Sequence, residues 1–249
     1  MRPVEKWTVG HTTSEGFVVV STYDPHTHAN GILHKNLGDF CSYCEVFSSD
    51  LEVEHIVPTY RNGILRTQWT NFLLACGRCN GADNKGAKPV DLTQMYFPHR
   101  NNTLLVFEYF EAGVIKVHSN LTTLNQIAKA NKLLDLLCLD KYPGNKKYPK
   151  TKKYEQGFPS ADRRWEHRRK EWEEAKRKLK DYEKGEILED RIAAFAHRRG
   201  FFSVWFSVFA AHKSVKAALI DKFIGTARNC FDAGFNPIPR NPMDSIDTI

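Results

Sequence analysis

The chain reads as an α+β protein, with a first part of short strands followed by a mainly α-helical region. Three observations carry that reading. Two C-x-x-C pairs, Cys41/Cys44 and Cys76/Cys79, frame short β-branched and alternating segments. Beyond Ser119 the texture changes to apolar residues at helical spacing. Basic charge then gathers in one place. Residues 141–184 hold sixteen lysines and arginines against eight acids, whereas the remainder is close to neutral, within an overall net charge of +7.

The elements follow in order. GFVVVST at 16–22 is β-branched and short, which predicts a strand. Residues 24–38 open on Asp24-Pro25 and space Ile32, Leu33 and Leu37 as a helix would. LEVEHIV at 51–57 alternates, predicting a strand that Pro58 ends, and QWTNFLLA at 68–75 leads into the second cysteine pair. Residues 103–118 predict a hairpin turning at Ala112-Gly113. Residues 122–139 predict a helix with Leu124, Ile127, Leu133, Leu134 and Leu137 on its apolar side. A connector rich in Lys, Tyr, Pro and Gly covers 142–160. A long charged helix follows, with Trp165, Trp172 and Leu179 at heptad spacing and Gly185 and Gly200 as punctuation; the tail is helical to about Lys222. A boundary near residue 120 divides 1–120 from 121–249.

Composition excludes some classes. No secretory signal opens the chain, and the most apolar run, FFSVWFSVFAA at 201–211, is too short to span a bilayer. A cytoplasmic protein with no membrane partner is expected, and its cysteine pairs then read as metal ligands rather than disulfides. Each C-x-x-C is a tight turn offering two thiolates. Cys41, Cys44, Cys76 and Cys79 together complete a structural Zn²⁺ site closed to water. Cys138 and Cys230 stand apart as buried thiols. Gly81 to Lys88 spells G-x-x-x-x-G-x-K but lacks the Lys-Ser/Thr ending of a P-loop, so no ATP site is expected.

Between the knuckles stand Glu54-His55-Ile56-Val57-Pro58, Trp69-Thr70-Asn71 and Cys76-Gly-Arg-Cys79-Asn80, with Asn84-Lys85 just after. Over roughly 38–90 this series resembles the HNH nucleases, which carry a ββα-metal fold. The chemistry suits the residue types. His55 is a general base near neutral pH. Glu54 and Asn80 offer hard oxygens for a catalytic Mg²⁺ or Mn²⁺. The resemblance makes Asn71 the residue that braces the loop carrying the base. Arg78 and Lys85 are candidate phosphate contacts. Many relatives place the lysine three residues after the asparagine, but here Asp83 holds that position. Either Asn80 or Asn84 then supplies the last metal oxygen. A zinc ribbon that only binds would have no use for Glu54, His55 and Asn80.

The flanks extend the likeness. MRPVEKW, WTNFLLACGRCN, GFFSVWFSVFA and GTARNCFDAGF resemble the HNH subunit of Septu-type bacterial anti-phage defence pairs, a nuclease type also found with some retrons. That resemblance implies a DNA endonuclease paired with an ATPase subunit, or a ribonuclease acting on tRNA or other RNA. The lysines of the connector, Lys146, Lys147, Lys150, Lys152 and Lys153, interleave with tyrosines and form a candidate nucleic-acid track, or else a solvated linker. The Trp165/Trp172/Leu179 stripe reads as a packing face, on this protein's own body or on a partner's helix, and the 201–211 helix as core; the stripe and the apolar 201–224 region are also the expected docking surfaces for the ATPase.

Overall fold

The computed structural model describes residues 1–14, 16–60, 63–147, 162–240 and 249. Three two-stranded antiparallel sheets precede a run of helices. Strands β1 (Gly10–Thr13) and β2 (Gly16–Val19) form an exposed hairpin. A 3₁₀ turn at His26–Ala29 leads into α1 (Asn30–Leu37). Strand β3 (Glu52–His55) pairs with β4 (Phe72–Ala75) in the register Glu54 to Leu73 and His55 to Phe72. The one-turn α2 (Gly77–Asn80) follows at once, giving β-β-α order. Strands β5 (Phe107–Tyr109) and β6 (Ile115–Val117) make the hairpin expected around Ala112-Gly113.

The helices are α3 (Leu124–Leu137), α4 (Arg164–Glu183), α5 (Glu189–Arg199), α6 (Phe202–Val208) and α7 (Lys213–Lys222). Local chemistry sets their ends. Thr123 and Gln126 form a reciprocal capping box at the start of α3. Glu189 and Asp190 open α5 while His197, Arg198 and Arg199 close it, each sign matching the helix dipole. Gly200 then turns with φ +81°, where a Cβ would sit 2.4 Å from the Glu45 carbonyl oxygen. The Glu45 carboxylate in turn accepts the Ser203 backbone N–H at 3.0 Å and its hydroxyl at 2.6 Å, capping α6.

Two apolar clusters fill the interior, and neither stops at residue 120. The first surrounds β4, where Phe72, Leu73 and Leu74 are fully buried. It takes in Leu33 and Leu37 of α1, Leu133, Leu134 and Leu137 of α3, and Phe201 and Val204 from far along the chain. The second gathers Ile192, Phe202, Trp205, Phe209, Val215, Leu219 and Phe223, and it also holds Phe40 and Leu104. Arg2 stitches the start of the chain to both parts, donating to the carbonyls of Leu37 at 2.7 Å and Phe223 at 3.0 Å. The 1–120 and 121–249 segments therefore share cores.

Two expectations about docking surfaces change. The apolar side chains of 201–224 are mostly buried in this protein's own core, so they are not open to a partner. The α4 helix does not bury the Trp165/Trp172/Leu179 stripe alone. Its most enclosed positions are Arg164, Arg168, Glu171 and Ala175. Trp172 and Leu179 pack beside them, partly buried. Cys230 is buried as expected; Cys138 is only half-buried, in the left-handed conformation that ends α3. Among the described residues, no helix is long and apolar enough to cross a membrane.

Candidate metal centre and active site

The first knuckle lies on the loop after α1, and the second straddles the junction of β4 and α2. A backbone bond ties the first knuckle to β4: the Ser42 N–H donates to the Leu74 carbonyl at 2.8 Å. The sulfurs of Cys41, Cys44, Cys76 and Cys79 all lie within 4.8 Å of one another, and Cys44 Sγ is 3.6 Å from Cys76 Sγ. A tetrahedron with zinc–sulfur bonds of about 2.3 Å has edges of about 3.8 Å, so the donor set fits zinc in both chemistry and spacing. A cation among the sulfurs also suits their charge. Hydrogen bonds from the other three thiols hold Cys76 well below the ordinary thiol range, and the same mutual contacts push Cys44 up. Four packed sulfurs cannot all be anionic unless a positive ion lies among them.

Strand β3 distributes its acids and its histidine by alternation. Glu52 and Glu54 share one face; Val53 and His55 take the other. Glu54 is 1% exposed. Its Oε1 accepts the Lys85 ammonium at 2.5 Å and the Tyr43 hydroxyl at 3.2 Å. Burial pushes its carboxyl up from the ordinary value, and Lys85 opposes that shift. Lys85, also 1% exposed, donates as well to the His55 carbonyl at 2.6 Å. An ammonium enclosed in this way does not reach a phosphate, so the contact expected of Lys85 is replaced by a structural one inside the hairpin.

Asn80 does not meet Glu54 directly. Its Nδ2 donates to Glu52 Oε2 at 2.6 Å, on the open side of the same strand face. Glu52 lies near enough to Glu54 for its charge to help raise the Glu54 carboxyl. The hard oxygens thus form a graded cluster: Glu52 and Asn80 outward, Glu54 behind them with Lys85. Asn84 belongs elsewhere. It is buried, donates to the Arg78 carbonyl and accepts from Arg164 at 3.4 Å. Of the two asparagines, only Asn80 faces the acids. Arg78 is partly exposed beside Asp83 at 3.7 Å, and both line an open cleft with Gly77, Gly81 and Ala82.

His55 sits on the opposite face, half-buried. Its Nε2 lies 2.9 Å from the Arg66 carbonyl oxygen. A carbonyl only accepts, so Nε2 carries the hydrogen, and in the neutral ring Nδ1 holds the lone pair. The ring packs 4.7 Å from that of His26 and 5.3 Å from that of Phe72. Burial lowers its pKa, and the charges of His26, Lys85 and Arg66 add to that; the Arg66 carbonyl acts the other way. The neutral, proton-accepting ring is therefore favoured. Asn71 grips the loop after β3: its Oδ1 accepts the Val57 N–H at 2.8 Å, and its Nδ2 donates to the carbonyls of Val57 at 3.0 Å and Leu65 at 3.1 Å.

Residues 41–86 match the family model described as HNH endonuclease. This segment is an HNH endonuclease domain. It spans both knuckles, all of β3, β4 and α2, and every motif residue from His55 to Lys85. No curated protein matches the chain. With the domain placed, the remaining expectations can be located. Lys147 pairs with Asp135 and, at 2.9 Å, with Asp140, which ties it to the end of α3. Lys146 is exposed. Lys150, Lys152 and Lys153 lie outside the described residues.

Three site residues escape the motif. Glu52 had a visible signal, since acids two apart on a strand share a face. His26 and Arg66 had none: one comes from before the first knuckle and the other acts through its backbone carbonyl.

Proposed function

We propose that this protein is a metal-dependent endonuclease that cleaves DNA phosphodiesters as the effector of an anti-phage defence pair with an ATPase. The observation that carries the catalytic part is His55, poised with Nε2 fixed on the Arg66 carbonyl and Nδ1 left to take a proton. In this reading His55 Nδ1 removes the proton of the attacking water. The Arg66 carbonyl fixes the tautomer, and Asn71 holds the loop on which that carbonyl sits. A divalent ion, Mg²⁺ or Mn²⁺, would draw on Glu52 and Asn80, and on Glu54 where it displaces the Lys85 ammonium. When bound it supplies neutralisation of charge developing on the phosphate and the leaving oxygen. Arg78, on the rim of the neighbouring cleft, positions a phosphate of the substrate.

The defence reading rests on the sequence phrases at 1–7, 69–80, 201–211 and 225–235. The buried stretches at 1–4, 71–75 and 201–206 fit a role in building the core rather than in recognising a partner. The test incubates the purified full chain, with and without the ATPase encoded beside it, against plasmid DNA and total RNA in Mg²⁺ or Mn²⁺. Metal-dependent DNA cleavage that His55→Ala abolishes supports the proposal. Cleavage of RNA alone would replace DNA with RNA as substrate. No cleavage of either, with the ATPase present, would overturn the catalytic reading.

A further inference from the structure

Among the described residues, the four-cysteine centre accepts a side-chain hydrogen bond from outside the matched domain. Arg164, the first residue of α4, is buried against it and donates Nη1 to Cys79 Sγ at 3.3 Å. The rest of the guanidinium is fully engaged. Nε and Nη2 grip the Asp162 carboxylate at 2.9 and 2.7 Å, and Nη2 also reaches the carbonyls of Leu137 at 2.9 Å and Cys138 at 3.1 Å. Asp162 is itself buried. A buried carboxylate thus orients a buried guanidinium, whose remaining edge faces a metal-ligating sulfur. This is the relation by which outer residues fix metal ligands in general. One turn on, Arg168 donates to the Gly113 carbonyl at 2.8 Å and to the Leu139 carbonyl at 2.8 Å. The two arginines thereby hold the Leu137 carbonyl at the end of α3 and the carbonyls of Cys138 and Leu139 just beyond it.

We propose that Arg164, oriented by Asp162, belongs to the metal centre, and that it makes docking of the first turns of α4 depend on the metal. Zinc held by four thiolates carries a net charge of −2, and Arg164 brings a positive charge to one of those sulfurs. The ion fixes the Cys79 sulfur where the guanidinium meets it, and without the ion that sulfur is free to move away from Nη1. Coupling of this kind is reciprocal: what metal binding contributes to docking of the helix, docking contributes to retention of the metal. Lysine cannot substitute, because one ammonium cannot hold a carboxylate bidentately and also present a donor to the sulfur in a fixed plane. The inference does not depend on nuclease activity.

The experiment measures zinc release from the purified full chain to a chromogenic chelator, for wild type, Arg164→Lys and Asp162→Asn. Hydrogen exchange is followed in parallel, before and after zinc removal. Both variants should release zinc about 10- to 100-fold faster than wild type. In wild type, zinc removal should deprotect 164–170 while 213–222 stays protected. Release as slow as wild type in both variants would overturn the proposal, as would unchanged exchange at 164–170. Uniform deprotection that includes 213–222 would overturn the local coupling. If the variants do not fold, the wild-type exchange comparison decides alone. A purified protein that neither carries nor takes up zinc would overturn the metal centre and this proposal together.

Discussion

The HNH domain and helix α4 treat charge in opposite ways. Between the knuckles, the groups suited to chemistry sit on short elements and stay accessible: Glu52 is exposed, and His55 and Asn80 are half-buried. The Glu54–Lys85 pair and the Glu45 carboxylate are sealed. In α4 the sealed stripe is itself charged, with Arg164, Arg168 and Glu171 facing in. Ordinary ion pairs such as Arg169–Glu173 decorate its outside. Glu171 does not face apolar side chains alone but accepts Arg199 of α5 at 2.7 and 2.8 Å. The contrast separates two uses of polarity. Half-open groups are available to react, and enclosed ones specify which elements meet.

Substitutions should split along the same line. The largest change is expected at His55. His55→Ala should lower the cleavage rate about 10²–10⁴-fold while leaving the melting temperature and zinc content as in wild type. A large loss of stability would instead place His55 with the enclosed groups and break the contrast. Glu54→Ala should cost stability as well as cleavage. It strands the buried Lys85 ammonium, at a cost of about 3–5 kcal/mol in denaturant unfolding. Glu52→Gln, two residues away on the same strand face, should weaken the metal dependence of cleavage and leave unfolding unchanged. Trp205→Ala should also cost about 3–5 kcal/mol, because its ring is wholly enclosed in the second apolar cluster. If it impaired association with the ATPase and spared stability, the 201–224 region would be a docking surface after all.

A smaller, sharper effect concerns pH. Burial lowers the pKa of His55. The base form is therefore present above that lowered value and is lost as pH falls through it. The acid limb of the rate profile should have its midpoint below the ordinary imidazole value of about 6.5. A midpoint above 6.5 would rule out His55 as the group that limits the acid limb. At the far end, Arg169→Ala on the outside of α4 should change stability by no more than about 0.5 kcal/mol.

Much of the HNH domain was legible in the sequence because its signals are local. C-x-x-C spacing, an acid beside a histidine ahead of a proline, and an asparagine after the last cysteine need no tertiary knowledge. The same holds for the hairpin at Ala112-Gly113 and for α3 with its Thr123 cap. What was not legible depends on distant partners. Lys85 reads as a surface cation until Glu54 and the His55 carbonyl are placed around it. The α4 stripe reads as Trp165, Trp172 and Leu179 because apolar residues are expected inside. Its actual inner face is settled by partners on other elements: acceptors at Cys79, the end of α3 and Gly113, and the donor Arg199. A boundary near residue 120 looked natural from the change of texture. Residues from both sides nonetheless share cores, since neither part encloses its apolar surface alone.

Gly113 shows how finely the metal centre is set from a distance. It turns with φ +72°, and a Cβ there would lie 1.9 Å from the carbonyl oxygen of Trp165. The hairpin and the first turn of α4 are thus spaced by a hydrogen atom. A single methyl group at this position acts as a wedge under the helix, opening first the Arg168 bond to the Gly113 carbonyl and, one turn back, straining the seat of Arg164. The residue that gauges the fit of the guanidinium on Cys79 therefore touches neither the sulfur nor the guanidinium. A mutational scan confined to the surroundings of the cysteines would pass it over.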